Sequence, residues 1–205
     1  MAPYRRLGLV LFALAAVGLH AASAAPAPAA KPSLAEEETL GSPNAKVTVI
    51  EYASAACPHC AVFNNTVFPA FKKKYVDTGK VRYVFREILT DPVAFAGTAF
   101  MMARCAGDKQ YFAVIDDVFQ QQQAIYDSGD LPAGLLKIGQ KYGMTKEQIN
   151  ACMDDTAVKS LNDRLAKADH DGVKATPTFV IGQTKLEGER SLDELSAVID
   201  PLLAK

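Results

Sequence analysis

The chain has no excess of charge, no repeat and too little cysteine to staple a fold. Its 22 Lys and Arg stand against 23 Asp and Glu, a net charge of −1. Bulk charge therefore offers no polyanion-binding surface, and no nucleic-acid partner is expected. Four cysteines in 205 residues are too few for a disulfide scaffold. Histidine is as scarce, at three. What is abundant is apolar: 49% hydrophobic residues with 22% charged describe a chain that packs a core. The length fits one domain, or one domain carrying an insertion.

Only one stretch is long and continuously apolar, Leu7 to Leu19, and it follows Arg5 and Arg6. As a helix its thirteen residues reach about 20 Å, short of the roughly 30 Å hydrocarbon core. Ala22-Ser23-Ala24 then fits an A-x-A cleavage site. The reading is a secretory leader over residues 1–24, cut after Ala24, followed by an extended Ala/Pro linker over 25–33. The mature protein is thus expected in an oxidising compartment, the periplasm, where cysteines pair.

Residues 34–42 leave room for a short first strand or turn. Val47 to Tyr52 is β-branched and nearly continuous in apolarity, as a buried central strand requires. From Pro58 a helical pattern places Phe63, Val67, Phe71 and Tyr75 four apart, with a kink expected at Pro69. Val81 to Ile88 reads as a second strand. Between Asp91 and Asp171 the period is helical throughout. Thr145 with Gln148 forms a capping box, and Val158, Leu161 and Leu165 mark one apolar face. Gln120 to Gln123 reads as a solvated helix face. His170, before Gly172, suits a helix end and a structural role. Thr178 to Ile181 and Thr184 to Glu187 form a hairpin, and Ser191 with Glu194 caps a last helix. The fold class is α/β: a core over 34–90 and 172–205, with a helical insertion over 91–171.

The chemistry is carried by Cys57-Pro58-His59-Cys60. Pro58 suits the first position of a helix, which puts Cys57 at the N-cap. Its sulfur then faces unpaired N–H groups and the positive end of the helix dipole, and both favour a thiolate. His59, when protonated, adds positive charge. Cys60 lies one turn on, close enough to form a disulfide. A helix-terminal cysteine ionises at about 3.5–7.5 instead of about 8.5. A stabilised thiolate makes the reduced pair favourable and its disulfide a stronger oxidant. Three other readings are open to the motif. Zinc would need further ligands from Cys105, Cys152 or His170, a c-type haem would need His where Ala61 stands, and a structural loop would be strained.

With Glu51 on the preceding strand, Cys-Pro-His-Cys at 57–60 and Thr-Pro-Thr-Phe-Val-Ile at 176–181, the sequence resembles the DsbA family of thiol:disulfide oxidoreductases. The run Tyr83-Val84-Phe85-Arg86-Glu87 resembles its alphaproteobacterial branch. The resemblance covers roughly Leu40 to Leu203 and implies a thioredoxin fold with an inserted helical domain. It implies that Cys57 attacks and carries the mixed disulfide, that Cys60 resolves it, and that His59 tunes the potential. It also implies a cis Pro177 facing the pair, and a buried Glu51 assisting proton transfer near Cys60. It implies a second bridge between Cys105 and Cys152, found in some alphaproteobacterial relatives; two buried thiols are the alternative. Thr176 departs from the valine of the best-known oxidases and is common in isomerase and reductase branches.

The expected activity is a periplasmic dithiol oxidase that introduces disulfides into unfolded exported proteins with free thiols. A membrane quinone-linked reoxidase would restore it. No metal or organic cofactor is expected, because the Cys57–Cys60 disulfide carries two electrons. The protein is expected to act as a monomer. The rival readings are a disulfide isomerase or reductase of the same superfamily, and a periplasmic copper-binding or chaperone-like module using the same sulfurs.

Overall fold

The computed structural model describes residue 1 and residues 37–205. The leader's apolar stretch, the cleavage site after Ala24 and the 25–33 linker lie outside the described residues. Five strands form one sheet: β1 (Glu38–Leu40), β2 (Val47–Ala53), β3 (Val81–Glu87), β4 (Thr178–Ile181) and β5 (Thr184–Glu187). Their order is β1-β3-β2-β4-β5, with β2 and β3 parallel and the other pairs antiparallel. β2 is central because its Val, Ile and Tyr side chains are wanted on both faces; Val49, Tyr52 and Ala53 are all buried. Glu51 sits in register between Phe85 and Phe179, so a carboxyl is carried into the apolar middle of the sheet. Gly182, at φ +58°, takes the first position of the two-residue turn that joins β4 to β5.

The crossover from β2 to β3 is helical but not one helix. α1 (Pro58–Thr66) stops before the single turn α2 (Phe68–Phe71), and a π-helical turn, Lys72–Val76, follows. The kink expected near Pro69 falls here: Val67 keeps a right-handed helical backbone, its N–H bonds Phe63 O and its carbonyl accepts Phe71 N–H, so the helical path is interrupted at one residue without ending. Pro69 lands in the first turn of α2, where its missing N–H leaves no bond unmade. The four-residue spacing still delivers Phe63, Phe71 and Tyr75 to the core. Phe63 packs on Phe179 of β4 at 4.6 Å and Phe68 on Tyr83 of β3 at 4.8 Å.

The insertion comprises α3 (Val93–Cys105), α4 (Tyr111–Ser128), α5 (Leu131–Lys141), α6 (Lys146–Cys152) and α7 (Asp155–His170). Asp130, Thr145 and Asp154 cap the last three, Thr145 in a full capping box with Gln148. Gly139 lets α5 approach α6: a Cβ there would lie 2.6 Å from the Ile149 side chain. The Cys105 and Cys152 sulfurs are bonded, tying α3 to α6. Val158 is exposed, contrary to the face drawn from the sequence. The buried stripe of α7 runs through Ala157, Leu161 and Ala168, because small residues let it lie close to the sheet. Among the described residues, no helix is long and apolar enough to cross a membrane. α8 (Leu192–Ala204), capped by Ser191 and Glu194, closes the fold.

The insertion leaves the sheet after Glu87, opposite Ala53, and β4 re-enters with Thr178 opposite Tyr52. A buried charge cluster joins the two parts. Glu87 accepts from Arg104 Nε of α3 at 2.7 Å, Tyr111 OH of α4 at 3.0 Å and Arg164 Nε of α7 at 2.6 Å. Arg104 also pairs with Glu38 of β1 at 2.8 Å. Near the return point, Arg86 pairs with Asp171 at 2.8 Å and with Glu37.

Candidate active site

β2 ends by delivering Ser54, Ala55 and Ala56 to a tight loop, all buried. Ser54 builds that loop. Its Oγ accepts from Ala56 N and Thr90 N at 3.2 Å, and its carbonyl accepts from Cys57 N at 3.0 Å. A short hydroxyl side chain bonding the backbone two residues on is how serine nucleates a turn. Cys57 then stands at the N-cap of α1 with extended backbone, φ −80° and ψ 119°, and Pro58 opens the helix.

The Cys57 sulfur accepts from Cys60 N at 3.4 Å. It faces the first turn, where backbone N–H groups have no helical partner. Its ionisation is held down to about 5 from 9.0. The Cys60 thiol donates to it first of all; burial opposes this, while Thr176 and the N–H groups of Cys60 and His59 add further donors. As a thiol, Cys57 has the Thr176 carbonyl within 3.4 Å. Cys60 is fully buried and its thiol is pushed well above 9.0, chiefly by burial. The two sulfurs thus differ in kind: one sheds its proton, the other keeps it.

His59 is exposed and its ring pairs with Glu189, from the loop before α8. That carboxylate raises the imidazole above its ordinary 6.5. His59 serves the thiolate through its backbone N–H, and its ring charge is shared with Glu189. The Thr176–Pro177 peptide bond is cis, as is Asp91–Pro92. Thr176 faces Cys57 across the loop before β4, and Pro177 follows it in the chain.

Glu51 lies behind the pair, 2% exposed, and accepts from Tyr83 OH at 2.5 Å. Burial pushes its carboxyl up to about 8, against the pull of the Tyr83 hydrogen bond. At neutral pH it holds a proton. Glu51 and Tyr83 also line a cavity of about 320 Å³ with Asn64, Lys72 and Asp116, which are partly exposed. A carboxyl ionising at about 8 folded and 4.5 unfolded binds more protons in the native state. Its contribution to stability is complete below pH 4.5 and is lost as pH rises towards 8, at about 1.4 kcal/mol per pH unit. Glu51→Gln is expected to remove that slope. Urea midpoints at pH 5 and pH 8 measure it, and equal pH dependence in both proteins would mean that Glu51 ionises freely.

The structure thus brings Cys57, Pro58, His59, Cys60, Thr176, Pro177 and Glu51 into one neighbourhood. It places Cys105 and Cys152 apart from them, in the insertion. Gln122 was overlooked. Within the run read as solvated, it is 3% exposed and donates to Ala55 O at 2.8 Å and Cys57 O at 3.3 Å. Helical spacing could have found it, since 122 follows Ile115, Val118 and Phe119 on the buried stripe of α4. Tyr126, one turn on, donates to Ala56 O at 2.9 Å. Among the described residues, no group of three His, Cys, Asp or Glu side chains is placed to hold a metal ion.

A sequence model described as Thioredoxin matches residues 33–201. A protein of Rickettsia bellii with the provisional name of protein-disulfide oxidoreductase is 35% identical over 166 residues, covering 78% of this chain and 62% of the relative. One from Rickettsia prowazekii, named alike, is 36% identical over 169 residues, covering 80% and 60%. The chain therefore spans about 60% of the length of these rickettsial relatives. The crystal structure of Wolbachia pipientis alpha-DsbA1 aligns at TM-score 0.72 and 32% identity, covering 82% of this chain and 91% of that one. Oxidised BdbD from Bacillus subtilis shares the fold, at TM-score 0.71 and 20% identity over 86% and 98% of the two chains.

Proposed function

Because the chain belongs to the thioredoxin family, in its DsbA-type branch, we propose that it is a thiol:disulfide oxidoreductase acting as a dithiol oxidase on exported proteins in the periplasm. The observation that carries this reading is the Cys57 sulfur: capped, supplied with donors and ionising at about 5.

In the oxidised protein the Cys57 sulfur is the one at the surface side of the pair. A substrate thiolate attacks it, the Cys57–Cys60 bond breaks, and Cys60 leaves. The departing sulfur must be protonated, because its buried site disfavours charge; the Glu51 carboxyl, protonated at neutral pH, gives it the proton and regains one from solvent through the cavity it lines. A second substrate thiolate then attacks the substrate sulfur of the mixed disulfide and expels Cys57. The substrate gains a disulfide and the protein keeps two electrons as one thiolate and one thiol. The second step is fast because a low-pKa thiolate is a good leaving group. The pair itself carries the electrons, so no cofactor is required. A membrane quinone-linked partner returns the pair to the disulfide.

Equilibration with glutathione tests the direction. An oxidase is expected to lie well above the cytosolic glutathione poise of about −220 to −260 mV, towards the roughly −120 mV of strong oxidants. A potential at the cytosolic poise would make the protein a reductase.

A further inference from the structure

Three consecutive carbonyls, those of Ala55, Ala56 and Cys57, are held by side chains of α4. Gln122 Nε2 reaches the first and third and Tyr126 OH the second. The N–H groups of Ala56 and Cys57 are meanwhile taken by Ser54. In this buried stretch two N–H groups are thus committed to the strand end and three carbonyls to the insertion. The neighbouring glutamines behave differently. Gln120 bonds Asp116 and Gln123 bonds Asp127, each one turn away along α4. Gln122 alone of these three turns inward.

We propose that Gln122 and Tyr126 are positioning residues for the nucleophile: they turn three carbonyl oxygens towards α4 and so fix the backbone at which Cys57 caps α1. The inference rests on the reading of Cys57 as the attacking sulfur. Its physical basis is the direction of the peptide dipoles. A carbonyl oxygen is the negative end of its peptide unit, and one turned towards the Cys57 sulfur would oppose a thiolate. Held against α4, all three point at hydrogen-bond donors instead. The Cys57 carbonyl also accepts the Ala61 N–H at 3.1 Å, so Gln122 bears on the bond that starts the helix. Tyr126 is close enough for the Cys57 charge to raise its own phenol, although burial is the larger cause. The insertion, in this account, does more than cover the site. It sets the geometry that makes one sulfur acidic.

The test uses the reduced full chain and two variants, Gln122→Met and Tyr126→Phe. Each is titrated through thiolate absorbance near 240 nm and equilibrated with glutathione. Gln122→Met is expected to raise the Cys57 ionisation by about one pH unit and to weaken the disulfide as an oxidant about tenfold, or roughly 30 mV. Tyr126→Phe is expected to give about a threefold change in the same direction. A variant that unfolds more readily yet titrates like the parent overturns the proposal, for its bonds would then only satisfy buried carbonyls. Tyr126→Phe keeps the ring packed on Phe95 and loses only the hydroxyl, so it decides the matter even where Gln122→Met does not fold. If the parent exchanges no thiols with glutathione, the oxidoreductase reading fails, while the titration still judges the clamp.

Discussion

Between pH 5 and pH 9 the reduced protein is expected to gain stability over the oxidised protein by about 1.4 kcal/mol per pH unit. The sign follows from Cys57. Its folded ionisation is depressed to about 5 from 9.0, so in this window the unfolded reduced chain binds a proton that the native chain does not. The stabilisation is complete above pH 9, amounts to about 3 kcal/mol at pH 7 and vanishes as pH falls through about 5. The oxidised protein has no thiol at this position and lacks the slope. The disulfide's own effect on the unfolded chain is independent of pH, so the changing difference isolates the thiolate. Cys60 stays protonated throughout, since its site holds it well above 9.0. Urea unfolding of both forms at pH 5, 7 and 9 measures the effect. Expressed as a potential it is about 60 mV at pH 7. Parallel pH profiles for the two forms would remove the reason for this disulfide to draw electrons from other proteins.

The second large effect is expected at Glu87. Glu87→Ala should destabilise the protein by about 3–5 kcal/mol, as for the loss of one partner from a buried ion pair. The carboxylate is 2% exposed and serves two arginines and a tyrosine from three different helices. Its removal takes the carboxylate from the Arg164 guanidinium in a largely buried site. Glu38 remains paired with Arg104 at 2.8 Å, so the loss falls chiefly on Arg164. For a chain of this size the cost corresponds to a fall in Tm of roughly 6–20 °C. Calorimetry of the oxidised variant checks it. A change below about 1 kcal/mol would show that solvent takes over the two guanidinium groups.

Much of the architecture could be read from the residues. Strand β2 was visible in its β-branched run, the capping boxes in Thr145–Gln148 and Ser191–Glu194, and the helix start in Cys57-Pro58. These are local signals, decided within four residues of chain. What escaped depended on distant partners. Nothing near Glu87 in sequence announces Arg104, Tyr111 and Arg164, and nothing near His59 announces Glu189. Pro69 marks where the helical path is interrupted, but nothing local announces the π-helical turn that follows it. Gln122 was hidden by its neighbours. Four identical side chains look alike until helical rotation assigns one of them to the interior.

The insertion departs from β3 and the chain returns on β4, and these two strands flank β2. Two strand spacings amount to about 10 Å, a gap that three residues of extended chain could bridge. The sheet is therefore a socket with a fixed opening, indifferent to the length of what fills it. Doubling the length of a bridging loop costs only about 0.6 kcal/mol. One lid could be exchanged for another by grafting at these two points, with one strand residue, Glu87, needing new cationic partners. Any replacement would inherit a further duty: it would have to reach down and draw the peptide oxygens away from the reactive sulfur.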